Sequence, residues 1–226
     1  MESLKLVCVH GFEGSGKNAV GSILEKKYGF VSCSFADNLK KAVAAIFGWE
    51  HEMLLGTTEA SRFWREQVDV FWSEELGMPS LTPRQVLQLV GTDVMRIHFH
   101  DSIWIKSLKK KVITLLNQGH SVVITDCRFP NEARLVKSMG GKVVLVSRDE
   151  SVPKWFELYY RCYDMWCPPH APGLTGGEFC DKLYKTHGIH PAETSMIGYK
   201  DVDHILYNDS SVKDLEAEIE SMINQI

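Results

Sequence analysis

The segment with the clearest chemical meaning is Gly11-Phe12-Glu13-Gly14-Ser15-Gly16-Lys17-Asn18. Glycines at Gly11, Gly14 and Gly16 let the backbone curl so that successive N–H groups face one anion, and a helix starting there adds partial positive charge. Lys17 closes this G-x4-G-K pattern with a mobile ammonium suited to the β- and γ-phosphates of a nucleoside triphosphate. Gly11, Gly14, Ser15, Gly16, Lys17 and Asn18 are therefore candidate phosphate-loop ligands of a nucleoside triphosphate, with Lys17 also catalytic. Asn18 stands where such loops commonly carry a hydroxyl that touches Mg²⁺. Either its amide oxygen takes that place, or the metal is held mainly by phosphates and water. The competing reading is a tight turn with a surface lysine. A strand-like run before the loop and a helix-like run after it favour the phosphate reading.

Two further constellations carry charge in useful places. Val122-Val123-Ile124-Thr125-Asp126-Cys127-Arg128 puts a carboxylate just past a β-branched run. In parallel α/β sheets such a position opens onto the ligand crevice. Asp126 would hold Mg²⁺ through water or take a proton from an attacking oxygen. Arg128 would clamp a phosphate through two parallel hydrogen bonds, a geometry lysine lacks. The alternative is a surface Asp–Arg pair capping the next helix. Arg84 and Gln88 lie four residues apart on one predicted helical face, where they would read an anion and a base edge together or form an ordinary polar face.

The elements that must position these groups alternate in type. Leu4–His10, Phe30–Phe35, Ser121–Thr125, Lys142–Ser147 and His204–Tyr207 read as strands, several nearly continuous in apolar residues, as sheets covered on both faces require. Helical spacing is expected over Asn18–Tyr28 and over Asn38–Phe47, the latter capped by Asp37. One long helix is expected from Thr58 to Leu76, with Phe63, Trp64, Val68, Phe71 and Trp72 as its apolar stripe. Thr82-Pro83 starts another, running toward His98. Further helices are expected over Ser102–Gln118, Asn131–Met139 and Val212–Ile223. Strands alternating with helices imply βαβ units and a mainly parallel sheet of five strands. The rhythm breaks at about 148–200, an aromatic-rich insertion read as a mobile lid on a single domain whose core is about 1–147 and 201–226.

Composition narrows the class. The chain has 226 residues, enough to bury a core without staples, and 25 Lys+Arg against 29 Asp+Glu for a formal charge of −4. Sequence-independent nucleic-acid binding runs on surplus cations, and this balance argues against it. No apolar run approaches the ~18–20 residues of a membrane span, and the N-terminus lacks a cleavable signal pattern. A complete, soluble, cytoplasmic protein is expected. Cys8, Cys33 and Cys127 sit in or beside apolar runs as small hydrophobes. Reduced thiols are expected throughout, although Cys162, Cys167 and Cys180 share one polar-aromatic stretch.

Taken in order, these segments resemble a family. The loop Gly11–Asn18, Ser34-Phe35-Ala36-Asp37-Asn38-Leu39-Lys40, the Arg84–Asp93 helix ending in Gly-Thr-Asp, and Asp126-Cys127-Arg128-Phe129-Pro130-Asn131-Glu132-Ala133 are similar to the bacteriophage-type deoxynucleoside monophosphate kinases. Val144–Arg148, His190-Pro191-Ala192-Glu193 and Asn208-Asp209-Ser210-Ser211 continue the match. The resemblance implies a three-layer P-loop kinase fold with a lid. It also implies transfer of the γ-phosphoryl group of ATP to a deoxynucleoside 5′-monophosphate, with Mg²⁺, in deoxynucleotide biosynthesis, in the cytoplasm of the host cell if the protein is viral. That family tolerates Asp or Asn after the loop lysine. Residue by residue, the resemblance puts Lys40, Arg84, Gln88 and Arg128 around the acceptor and Asp126 near the metal. Arg148 would belong to the lid over ATP, with Arg161 a further lid cation, and Asn208 would lie near the adenine. Partners would be small nucleotides, and a homodimer is compatible with the sequence.

Three alternatives stand beside this reading. One is a P-loop kinase for another phosphomonoester, such as phosphomevalonate or dephospho-coenzyme A; another is a nucleotide-binding module without catalysis. The third concerns the insertion, where Cys167, His170, Cys180, His187 and His190 are zinc-ligand types at mixed spacing; the family's own use of the His190/Glu193 motif weighs against zinc. The Lys106, Lys109, Lys110 and Lys111 cluster reads as the solvated face of a helix whose Leu108, Val112 and Leu115 face inward. Trp49, Phe63, Trp64 and Trp104 read first as core, with one of them available as a wall for the acceptor base.

Overall fold

The computed structural model describes residues 4–149, 152–153, 194–197 and 199–226. Along the chain they form β1 (Leu6–His10), α1 (Lys17–Tyr28), β2 (Val31–Cys33), α2 (Asp37–Phe47), α3 (His51–Leu55), α4 (Glu59–Arg65), α5 (Val70–Glu75) and α6 (Pro83–Gln88). A π-helix (Leu89–Phe99), α7 (Ile103–Asn117), β3 (Val122–Ile124), α8 (Pro130–Ser138), β4 (Lys142–Ser147), β5 (His204–Tyr207) and α9 (Val212–Gln225) follow. The chain forms two compact units, 1–33 with 112–226 and 34–111.

The first unit is built on a five-stranded sheet in the order β2-β3-β1-β4-β5, every neighbouring pair parallel. The α/β class, the five strands and the parallel direction expected from sequence are all present. Parallel strands need crossover connections, which α1 and α8 supply within this unit. The strands feeding them are apolar on both faces: all five residues of β1 and all three of β3 are buried. From β1 the chain crosses to one side to make β2, then returns through β3 and passes beyond β1 to make β4. β1 is thus the switch point at which α/β sheets bind ligands beyond their carboxyl ends. Val20, Ile23 and Leu24 of α1 and Leu215, Ile219 and Met222 of α9 bury their side chains in one core with Val7, Val9, Val144 and Leu206.

The second unit is helical, and here the expected single helix from Thr58 to Leu76 is broken. The chain leaves α4 at Glu66, and Asp69 restarts it by accepting the backbone N–H of Trp72 at 3.0 Å. The second carboxylate oxygen of Asp69 accepts the indole N–H of Trp49 at 2.8 Å. Aspartate has little intrinsic helix preference and a short acceptor side chain suited to a cap, and its tertiary partner Trp49 decided its role. The expected stripe is divided accordingly. Trp64 and Trp72 join a cluster in which Phe47 stacks on Trp49 at 4.6 Å, whereas Phe63 and Phe71 are 67% and 62% exposed. Phe63 is therefore not the core residue it was read to be.

Other elements follow their local signals with small changes. Thr82 accepts the Gln85 N–H at 3.2 Å while the Gln85 side chain accepts the Thr82 N–H at 2.9 Å, a reciprocal cap with Pro83 in the first turn. The helix begun there continues as a π-helix, not the α-helix expected through His98. The Trp104 indole takes the Gly91 carbonyl at 2.8 Å, and Gly91 lies so close to the Leu39 methyls that a Cβ would stand 2.6 Å from one of them. Asp37, expected as a cap, lies inside the first turn of α2, where its carboxylate accepts the Ser34 N–H and pairs with Lys111 at 3.0 Å. Lys106, Lys109 and Lys110 are exposed while Leu108 and Val112 are buried, as the helical spacing predicted. Cys8, Cys33 and Cys127 are buried thiols in no disulfide with one another; Cys162, Cys167 and Cys180 lie outside the described residues.

The core of the first unit yields a stability test. Ile219 is fully buried and Ile205, on β5, is 48% exposed. Ile219→Ala should cost about 2–5 kcal/mol in urea unfolding, and Ile205→Ala about 0.5 kcal/mol or less. Equal losses would contradict this packing.

Candidate functional site

In the first unit the strand-to-helix turn after β1 is held in shape by its own lysine. Lys17 Nζ donates to the Gly11 carbonyl at 2.8 Å and to the Phe12 carbonyl at 2.6 Å, and the Ser15 N–H closes the turn on Phe12 at 3.2 Å. Two glycines are required by geometry. Gly11 has φ 147° and lies against the Val146 carbonyl of β4, where a Cβ would collide. Gly16 has φ 101°, and a Cβ there would strike the Asn208 amide. Both positions need the left-handed backbone that side chains disfavour. Ser15 is fully buried, and its hydroxyl has no hydrogen-bond partner among the described residues. Asn18 is exposed on the first turn of α1.

The sheet brings the second constellation beside this loop. β3 pairs with β1 in the register Cys8↔Ile124, and the Cys127 N–H donates to the Val9 carbonyl at 3.3 Å. Asp126 and Arg128 therefore emerge next to the end of β1. Glu132 of α8, only 2% exposed, fixes that turn: its carboxylate accepts the backbone N–H of Arg128 at 2.7 Å and of Phe129 at 3.1 Å. Arg128 itself is exposed and Asp126 half-buried. Glu132 was quoted only as part of a motif; its signal was the Phe129-Pro130-Asn131-Glu132 helix start, three residues after an N-cap position.

The electrostatics of the turn are strained toward loss of positive charge. Burial first, then the neighbouring Arg128, pull the Lys17 ammonium down to about 8, while Glu13 and Asp126 work in the opposite direction. His10, buried at the end of β1, is pushed down to about 4 by burial and by Lys17. It is therefore neutral at physiological pH. Its Nε2 has no hydrogen-bond partner among the described residues, and its ring meets Tyr199 edge-on at 6.2 Å. Nothing in the sequence singled out His10. The Cys127 thiol is driven well up, first by its hydrogen bond with Cys8 and then by burial, so it is no nucleophile.

The remaining candidates fall in three places. Asn208, just past β5, donates from Nδ2 to the Ser15 carbonyl at 2.9 Å and so lies on the loop. Arg148 is half-buried just past β4. Lys40, Arg84 and Gln88 belong to the second unit, where α2 packs against α6. There Lys40 Nζ reaches the Leu55 carbonyl at 3.4 Å, and Arg84 pairs with Glu66 at 2.9 Å. Arg161, His170, His187, His190 and Glu193 lie outside the described residues.

The family model of deoxynucleotide monophosphate kinases matches residues 65–155. A provisionally named deoxynucleotide monophosphate kinase of Acanthamoeba polyphaga mimivirus is 28% identical over 97% of this chain and 96% of its own length. The deoxynucleoside-5′-monophosphate kinase of Escherichia phage T5 is 40% identical over 67 residues, covering 29% of this chain and 26% of that protein. Among solved structures, a dephospho-CoA kinase from Campylobacter jejuni aligns over 99% of this chain and 97% of its own at 13% identity with a TM-score of 0.44; so loose a likeness decides nothing here. The chain is thus similar to proteins named as deoxynucleotide monophosphate kinases, the family its motifs resemble. Among the described residues, no helix is long and apolar enough to cross a membrane.

A lysine lowered to about 8 makes anion binding pH-dependent. A bound polyphosphate favours the ammonium, so binding above pH 8 must take up a proton, and affinity should fall by up to about tenfold per pH unit there. Calorimetric titration with tripolyphosphate at pH 8.5, in two buffers of different ionisation enthalpy, should reveal that uptake in the wild-type chain. It should be absent at pH 6.5 and in Lys17→Met. Equal uptake by wild type and variant would remove Lys17 as the titrating group.

Proposed function

We propose that this chain is a phosphotransferase that moves the γ-phosphoryl group of ATP to a deoxynucleoside 5′-monophosphate, releasing ADP and the diphosphate. The observation that carries the reading is the lysine-closed turn after β1 with Asp126 and Arg128 beside it in the same sheet. The kinship with proteins named as deoxynucleotide monophosphate kinases supports the acceptor class.

Phosphoryl transfer asks for alignment and charge neutralisation more than covalent chemistry. Two anionic substrates must approach in line, and each like-charge pair at ~4 Å costs about 4 kcal/mol at an effective dielectric near 20. Lys17 and the N–H groups of Gly14 and Gly16 would take the donor phosphates, and Arg128 would offset the charge that develops between donor and acceptor. Lys40, Arg84 and Gln88 are the proposed acceptor ligands, and Arg148 belongs to the donor side. Mg²⁺ binds oxygen and keeps several waters. The half-buried Asp126 carboxylate and the exposed Asn18 amide are oxygen donors of the right kind for it, and Mg²⁺ when bound would neutralise phosphate charge.

The direct test is a coupled ADP-release assay over a panel of the common deoxynucleoside monophosphates, with phosphomevalonate and dephospho-coenzyme A as controls. Turnover confined to the nucleotides is expected. Turnover only with a control, or none, would reject the reading. Lys17→Ala should lower turnover by about 10²–10³, and Arg128→Lys should lower kcat more than it raises the KM for ATP, because only a bidentate fork follows the moving phosphoryl group. An Arg128→Lys change confined to ATP binding would reject its acceptor-side role.

A further inference from the structure

We infer that Asn208 is a positioning residue for the phosphate loop, acting on the triphosphate through the Ser15–Gly16 peptide. The inference rests on reading the loop as the ATP site. Asn208 Nδ2 donates to the Ser15 carbonyl at 2.9 Å. A peptide unit is planar and trans, so its C=O and N–H point in opposite directions. Anchoring the Ser15 carbonyl on Asn208 therefore turns the Gly16 N–H to the other side of the loop, as a phosphate nest requires. The same peptide leads directly into α1, whose first backbone bond runs from the Val20 N–H to the Gly16 carbonyl at 3.1 Å. One side-chain amide thus orients both a nest donor and the start of the helix whose dipole faces the anion.

The anchor is itself rigid. The Asn208 N–H donates to the Ser147 carbonyl of β4 at 2.8 Å, and next to it the Asp209 carboxylate accepts the Asp149 N–H at 2.7 Å. Fit is reciprocal, because any side chain at position 16 would strike the Asn208 amide. β4 also touches the loop directly, through the Val146 carbonyl against Gly11. The loop is consequently gripped at its first glycine by β4 and near its last by the residue after β5.

A residue that orients the nest, rather than reading the base, weakens every polyphosphate alike. Titration of the full chain with ATP, GTP and tripolyphosphate separates the two roles. Asn208→Ala should weaken all three by one common factor, about three- to tenfold, the scale of one lost hydrogen bond. Asn208→Asp keeps the size but sets a carboxylate against the Ser15 carbonyl, and should weaken all three further. The ratio of ATP to GTP affinity and the KM for the acceptor should stay unchanged in both variants. Loss of ATP affinity with tripolyphosphate binding intact would overturn the inference in favour of a base contact, and unchanged affinities in both variants would overturn it outright. A wild-type chain that binds none of the three would overturn this inference and the ATP reading together. An acceptor panel without turnover, beside the expected titrations, would sink only the kinase reading.

Discussion

Crowding of positive charge at the end of β1 is the constraint around which the first unit is organised. Lys17 is held on the carbonyls of its own loop, and burial and the nearby Arg128 pull its ammonium down to about 8. Like charges brought together in a partly desolvated place are unfavourable by themselves. They become favourable when an anion arrives, and the free energy held in that arrangement is available for binding a phosphate. His10 fits the same logic. A histidine kept neutral beneath the loop adds no third cation, whereas a protonated one would compete with Lys17.

Such an arrangement holds only if the backbone around it cannot relax. The parallel register of β1 with β3 and β4 sets where the loop and the Asp126–Arg128 turn emerge. Glu132 then fixes the second turn from below, with a buried carboxylate accepting two N–H groups. A buried carboxylate is tolerated because those donors satisfy it. Asn208 does for the loop what Glu132 does for the turn. In both cases a side chain, Glu132 from the next turn and Asn208 from far along the chain, holds a backbone group of the segment it fixes.

Regular elements were legible in the sequence wherever one local signal dominated. β4 and β5 have the expected bounds, and α6 starts at Pro83 as Thr82-Pro83 signalled. The break at Asp69 was not. Trp64, Phe71 and Trp72 continue a plausible helical stripe, and an aspartate inside it reads as a solvent-facing residue until its partners Trp49, Trp72 and Leu81 are known. The π-helix was hidden for a similar reason: the Trp104 bond to the Gly91 carbonyl comes from another helix.

By itself, the sequence determined the chemical types: a glycine turn ending in lysine, an Asp-Cys-Arg run past a β-branched strand, and strands too apolar to face water. These are local properties, decided by backbone sterics and burial within a few residues. Tertiary structure alone decided which groups feel one another. Arg128 lies more than a hundred positions from Lys17 and lowers its ammonium because β3 pairs with β1, and Asn208 reaches Ser15 because β5 lies beside β4. Coulomb and hydrogen-bond energies depend on distances in space, and sequence spacing encodes those only within a turn or a helix.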